Sequence, residues 1–458
     1  MHRYPLDKLK NWLISDNRKP LILRGARQVG KTWLVRELAR VSNKNLCELN
    51  FEHQRDLAKH FESNDPNTIL KNLEAILGKN IPPDQSILFL DEIQAAPELL
   101  AKLRWFYEIL PSLPVITAGS LLEFELEEHS FSMPVGRVSY FFVEPLGFEE
   151  FLLAKGESLL LERIQKITLS NLDTQINANL HAKACKLFHE YILVGGMPEA
   201  VSTWVKAESL DQLSNSQHDL INTYQNDFAK YAGRLSINYL QDALNAVPRF
   251  LGQKLIYTRI NPAVRQARMK KAVTLLTKSR LCHSVQNVHG NGIPLSAEID
   301  PKTFKLILLD TGLVSALLNL PLYHIKDLSA LMLVNQGGLT EQVTGQLLRL
   351  LFPHYLSPNL YYWARQNPGA SAEVDYLIQL GQQLIPIEVK SGTEGKMRSL
   401  HQLMSEKSWT LAVRIYAGPL TTHRVTTRVQ TGNAVTYDLL SIPFYLIEQL
   451  GRLCLSII

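Results

Sequence analysis

Short apolar runs and longer amphipathic stretches alternate along the first part of the chain, the rhythm of an α/β domain with a parallel sheet. Leu21-Ile22-Leu23, Ser86-Ile87-Leu88-Phe89-Leu90 and Pro114-Val115-Ile116-Thr117-Ala118 read as buried strands, and residues 32–40 as the helix after the first of them. The pattern changes around Pro145-Leu146-Gly147-Phe148. Residues 150–220 read as helical, broken at Val194-Gly195-Gly196-Met197-Pro198. More helical patterns follow over 222–318 and end in a hairpin, residues 281–288 and 296–309, joined through Gly290-Asn291-Gly292-Ile293-Pro294. Helices followed by such a hairpin suggest a winged-helix-like segment. After Gly337-Gly338 the spacing predicts a helix over 339–351 and strands over 360–364, 373–380 and 383–389.

A chain of 458 residues exceeds one ordinary hydrophobic core, so several domains are expected. With 46% hydrophobic and 20% charged residues, it falls in the soluble globular class. No stretch approaches the roughly 18 apolar residues that span a bilayer, so no membrane partner is expected. Met1-His2-Arg3-Tyr4-Pro5-Leu6-Asp7 lacks the apolar run of a secretory signal. Cys47, Cys185, Cys282 and Cys454 are scattered, which argues against a disulfide framework or a structural zinc site. The expected location is cytoplasmic.

The net charge of +5 permits nucleic acid as a partner without requiring it. Its distribution says more. Residues 259–280 carry Arg259, Arg265, Arg268, Lys270, Lys271, Lys278 and Arg280 with no acid among them, which fits either a solvated helix face or a nucleic-acid surface.

The strongest motif is Gly25-Ala26-Arg27-Gln28-Val29-Gly30-Lys31-Thr32, a full match to GxxxxGK[ST] between a strand and a helix. The glycines let backbone amides wrap phosphate oxygens, and the helix beginning at Lys31 adds its positive end. The Lys31 ammonium reaches the outer phosphates and the Thr32 hydroxyl ligates Mg²⁺.

About sixty residues on, Ile87-Leu88-Phe89-Leu90-Asp91-Glu92 is an apolar strand ending in two acids. Alone it would be the start of a loop; with the phosphate loop it reads as Walker B. Asp91 is then the metal-side residue and Glu92 the base that activates water. Thr117-Ala118-Gly119-Ser120 ends a third strand. Ser120 there either positions the attacking water, as a sensor residue, or caps the next helix. Arg137 is either an arginine finger or nucleotide sensor, or an ordinary surface charge.

A second constellation lies near the C-terminus. Glu341 falls on a predicted helix, Asp375 in a strand, and Glu388 and Lys390 in the next strand within Ile385-Pro386-Ile387-Glu388-Val389-Lys390. Glu388 and Lys390 share a face because strand side chains alternate, and Asp375 can meet them across the hairpin. Carboxylates plus a lysine suit a Mg²⁺ site for phosphodiester cleavage, Asp375 and Glu388 as ligands and Lys390 polarising water. Glu-x-Lys on an exposed strand face is common, but the apolar neighbours place these charges at the mouth of a buried sheet. A PD-(D/E)xK nuclease-like fold is expected.

In these features the chain resembles the prokaryotic AAA-type ATPases that carry a C-terminal domain of unknown function. The resemblance rests on the phosphate loop, Leu90-Asp91-Glu92-Ile93-Gln94, Ala118-Gly119-Ser120 and Gly136-Arg137. It continues through Glu144-Pro145-Leu146-Gly147-Phe148-Glu149-Glu150-Phe151, Gly195-Gly196-Met197-Pro198-Glu199-Ala200, Leu309-Asp310-Thr311-Gly312-Leu313 and the final Glu-Val-Asp…Ile-Glu-Val-Lys-Ser-Gly. Gly147 stands where the family usually has Ser. The resemblance implies ATP as the nucleotide, and no guanine-reading Asn-Lys-x-Asp occurs. It also implies an arginine supplied by a neighbouring subunit in a homo-oligomer.

The expected architecture is α/β: a P-loop ATPase domain (1–155), a helical connection or lid (156–221), a winged-helix-like domain (222–330) and a restriction-endonuclease-like α/β domain (331–458). The expected function is ATP hydrolysis coupled to action on DNA. The alternative is a nucleotide-gated switch or scaffold that binds partner proteins and cuts nothing, in which the C-terminal acids are relics.

Overall fold

The computed structural model describes residues 2–119, 133–170, 177–231, 233, 235–318, 336–365, 372–393, 395–429, 432 and 434–458. These form two units. The first comprises 1–145 with 278–280 and 353–357; the second comprises 146–277, 281–352 and 358–458.

In the first unit, β1 (Leu21–Arg24), β2 (Asn45–Asn50), β3 (Ser86–Asp91), β4 (Val115–Ala118) and β5 (Ser139–Phe142) make a parallel sheet in the order β2-β3-β4-β1-β5. The apolar runs of β1, β3 and β4 are buried throughout, as strands covered on both faces must be. The helix Lys31–Val41 turns Leu34, Val35, Leu38 and Ala39 inward, one stripe of an amphipathic helix. Phe51, Phe61, Ile69, Leu73 and Phe106 fill the core beside β3. Burying each such side chain contributes about 1.5–3 kcal/mol.

The strand order positions a site. β4 and β5 flank β1, whereas β2 lies beyond β3, so the connections leaving the carboxyl ends of the strands diverge and open a crevice there. The 25–30 loop leaves β1 at that end, and Asp91 closes β3 at the same end.

The second unit begins with helices Phe148–Ala154, Ala178–Val194, Pro198–Ala207 and Leu210–Tyr231. The expected break after Val194 is present. Gly195 has φ 77°, and a Cβ on Gly196 would lie 2.0 Å from the Leu146 carbonyl oxygen. The break is tied down by Asp310, whose carboxylate accepts from Gly196 N at 2.6 Å, Gly312 N at 2.9 Å and Gln346 Nε2 at 3.0 Å. Tyr191 joins the same knot, donating to Leu146 O at 2.7 Å and accepting from Gln346.

The rest of this unit is built on a mixed sheet of β6 (Cys282–Val288), β7 (Ile299–Leu308), β8 (Leu360–Ala364), β9 (Glu373–Leu380), β10 (Gln383–Val389), β11 (Leu411–Tyr416), β12 (Thr421–Arg428) and β13 (Ala434–Pro443). Their order is β12-β13-β11-β10-β9-β8-β6-β7. The strands expected over 373–380 and 383–389 have those bounds. A two-residue turn joins them, with Gly381 at φ 59° as such hairpins require.

The 281–309 hairpin, expected as the wing of a separate 222–330 domain, lies in this sheet instead. β6 runs parallel to β8 with Val285 opposite Leu360, so the expected boundary at 330/331 divides strands of one sheet. The turn signals between β6 and β7 were legible, but strand pairing across about seventy residues leaves no local trace. No helix among the described residues is long and apolar enough to cross a membrane.

Candidate functional sites

In the first unit, Gln28 (φ 63°) and Gly30 (φ 94°) bend the loop after β1 through left-handed conformations, which gathers successive backbone N–H groups into an anion-binding concavity. Gly25 is sterically required: a Cβ there would fall 2.4 Å from the Val143 carbonyl oxygen. Arg3 steadies the loop from outside, buried and donating to Val29 O at 3.0 Å and Glu144 O at 2.8 Å.

The Lys31 ammonium is buried and donates to Gly25 O at 3.0 Å and Ala26 O at 2.8 Å, so it lies inside the curl of the loop. The Thr32 hydroxyl donates to Asp91 Oδ2 at 3.0 Å, across 59 residues of sequence. Burial, then the neighbouring Glu92 charge, pushes the Asp91 carboxyl up to about 6. A hydroxyl and a carboxylate side by side next to a buried ammonium are the donor set that a hard divalent cation and a phosphate chain require.

Glu92 follows in the left-handed region at φ 51°, with its N–H on Asp91 Oδ1 at 3.1 Å. The Gln94 amide donates to its carboxylate. Gln94 Oε1 is buried without a hydrogen-bond partner, and it lies 2.5 Å from where a Cβ on Gly119 would sit. Gln94 therefore fills the space between Glu92 and the end of β4. It stood in the Asp91-Glu92-Ile93-Gln94 run, but without partners in view nothing marked it as a contact of Glu92.

β4 lies between β1 and β3, so its end does fall between the two motifs. Ser120 itself lies outside the described residues. Arg137 lies on Glu108, its Nε 2.8 Å from Oε1, with the side chain 43% exposed. Within this chain its recorded ion pair is with Glu108 rather than with the phosphate loop.

In the second unit, one step beyond the paired residues Ile387 and Tyr376 come Glu388 and Asp375. Asp375 Oδ2 accepts from Val389 N at 2.8 Å, and Lys390 Nζ donates to Glu388 Oε1 at 2.6 Å. The helix Gln336–Arg349 packs on β7, β8 and β10 and brings in Glu341. Tyr376 fixes that helix by donating its hydroxyl to Glu341 O at 2.7 Å.

The sequence order of these residues thus corresponds to one cluster, with an addition: Lys305 from β7. Its ammonium lies 2.6 Å from Glu373, 3.1 Å from Glu341 and 3.9 Å from Asp375. Burial, then the Asp375 charge, pushes Glu341 up to about 8, and the same two causes push Glu388 up to about 7. Among the described residues no three His, Cys, Asp or Glu side chains converge as a group that could hold a metal ion. Of the two residues expected as Mg²⁺ ligands, Asp375 faces the Lys305 ammonium and Glu388 pairs with Lys390 in this arrangement.

The basic stretch is divided. Arg259, Arg265, Arg268, Lys270 and Lys271 are exposed, the last three on the helix Gln266–Lys278. Arg280 is not part of that surface. It is buried, in an ion pair with Glu144 at 2.9 Å, and lies over the Phe142 ring.

Residues 17–152 match the family profile of an AAA domain. Residues 185–323 match a domain of unknown function (DUF8612), and residues 336–434 another (DUF4143). No curated protein matches the sequence significantly. Among solved structures, the C. elegans PCH-2 structure is similar at 17% identity and TM-score 0.25, over 46% of this chain and 63% of that one. The Thermotoga maritima RuvB Holliday junction branch migration motor is similar at 14% identity and TM-score 0.28, over 62% of this chain and 89% of that one. A structure of forked double-stranded DNA unwinding by two coordinating Pif1 helicases is similar at 16% identity and TM-score 0.22, over 41% of this chain and 51% of that one. Residues 17–152 are thus similar to an AAA domain, and the stretches that follow are similar to two domains of unknown function.

Proposed function

We propose that this protein binds and hydrolyses ATP at the carboxyl end of the first sheet, and that nucleotide turnover serves action on DNA. The Thr32–Asp91 hydrogen bond at 3.0 Å, beside the buried Lys31 ammonium, carries the reading. Thr32 and Asp91 would hold Mg²⁺, which neutralises charge on the phosphates when bound. Backbone amides of residues 25–30 and the Lys31 ammonium orient the phosphate chain. Glu92 takes the proton from the attacking water, and Gln94 holds the Glu92 carboxylate. Arg137 of a neighbouring copy would complete the site in a homo-oligomer. Action on DNA is supported by the exposed cations of residues 259–271.

The test is phosphate release and nucleotide binding by the full chain. Lys31→Ala should lose both. Glu92→Gln should keep binding while turnover drops by about 10²–10⁴-fold, the range for losing a general base. Turnover by Glu92→Gln at the unaltered rate would remove Glu92 from the role.

A second reading, a nucleotide-gated switch that cuts nothing, is favoured by one observation. The Lys305 ammonium lies against Glu341 and Glu373 in the acidic cluster of the second unit. DNA cleavage assays with Mg²⁺ or Mn²⁺ separate the two readings. Cleavage lost in Lys390→Ala supports a nuclease; no cleavage with ATP hydrolysis intact supports the switch.

A further inference from the structure

Lys305 has no part in the reactions above, yet it is among the most deeply buried charges of the second unit, with its side chain 3% exposed. It sits between Phe304 and Leu306 on β7, a strand whose last four residues are all buried. An ammonium taken out of water must be compensated by opposite charge and hydrogen bonds. Two other elements supply them. Glu373 and Asp375 come from β9 and Glu341 from the helix Gln336–Arg349, at 2.6, 3.9 and 3.1 Å. The ring of Tyr362 on β8 faces the same ammonium at 5.2 Å. Burial pulls the lysine pKa down, but the three carboxylates outweigh it and leave it above its ordinary value.

We infer that the Lys305 ammonium is the resident cation of this cluster, taking the place among Glu341, Glu373 and Asp375 that a divalent ion would need, so that the cluster closes without metal. Three features make this a built arrangement. Two carboxylates from β9 and one from the helix Gln336–Arg349 face one Nζ. Two of the approaches are fixed independently: Asp375 by the Val389 N–H, and the Glu341 backbone by the Tyr376 hydroxyl. The Glu341 carboxylate also sits against Gly252, where a Cβ would fall 2.7 Å from its Oε1. A tethered ammonium at the centre of such a shell repels a second cation and occupies the oxygens that would ligate it. Lys390 does the same at Glu388 Oε1. Glu388 Oε2 is buried without a hydrogen-bond partner.

The experiment is Mn²⁺ titration of the nucleotide-free full chain, read by electron paramagnetic resonance. Wild type, Asp375→Asn and Glu388→Gln should bind the same number of ions with the same affinity. A wild-type Mn²⁺ that is lost in Asp375→Asn or Glu388→Gln overturns the proposal. Lys305→Met keeps the length of the side chain and removes its charge. Folded, as judged by circular dichroism, it should gain one Mn²⁺ with at least tenfold tighter binding than any in wild type, and lose it again when Asp375→Asn is added. A folded Lys305→Met that gains none also overturns the proposal. If Lys305→Met does not fold, the wild-type comparison with Asp375→Asn and Glu388→Gln still decides.

Discussion

Replacing Asp310 tests whether the buried knot at the Val194 helix break is held by its carboxylate. The aspartate is buried and accepts three hydrogen bonds, from Gly196, Gly312 and Gln346. Burial outweighs them and pushes its pKa from the ordinary 3.8 up to about 6, which corresponds to about 3 kcal/mol against the charged native form. Asp310→Ala relieves that cost but strands three buried donors at about 1–3 kcal/mol each, so the unit should lose about 3 kcal/mol. Asp310→Asn relieves the same cost and keeps an acceptor for Gly196 and Gln346. It opposes its amide only to Gly312 N, so its stability should fall within about 1 kcal/mol of wild type. The folded pKa lies above the unfolded one, so the native state holds the proton more tightly. This group's contribution is therefore greatest below the ordinary pKa and is lost as pH rises from about 4 to about 6. The assay is urea unfolding at pH 4.5 and 7.5, followed by the fluorescence of Trp204, Trp363 and Trp409. Subtracting Asp310→Asn from wild type should isolate a stability that declines with pH. An alanine variant as stable as wild type, or an asparagine variant as costly as alanine, would refute the reasoning.

Two further substitutions probe the other elements. Gly25→Ala should weaken nucleotide binding at least tenfold in a fluorescent-analogue titration, because its methyl would fall 2.4 Å from the Val143 carbonyl oxygen and must push the phosphate loop aside. If the exposed helix cations meet DNA phosphates, replacing Lys270 and Lys271 by glutamine should lower the slope of log affinity against log salt by about 2, roughly 0.9 per contact. An unchanged slope would take them out of the interface.

What the sequence made legible follows from the range of the interactions involved. β1, β3 and β4 are continuous apolar runs because both faces are covered, and the phosphate loop between a strand and a helix carries its chemistry within eight residues. β2, read as Asn-Leu-Cys-Glu-Leu-Asn, was not legible, since an edge strand with mostly half-buried positions resembles a loop. The order Glu341, Asp375, Glu388, Lys390 was visible because Asp375 and Glu388 fall on the two strands of one hairpin, with Lys390 just after it and Glu341 on the helix upstream.

Lys305 was not visible. A lysine between apolar neighbours reads as the solvent-facing position of an alternating strand, and only the arrival of Glu341 and β9 turns that face inward. Arg280 fails in the same way: it ends a basic run, but its partner Glu144 lies 136 residues earlier. In both cases the local pattern gives the sign of the charge, and the tertiary partner decides whether that charge meets solvent or closes a site. The acidic cluster shows how far this matters. Read alone, its carboxylates and Lys390 resemble a metal-dependent catalytic set; with Lys305 among them, the same carboxylates become the counter-ions of a buried lysine.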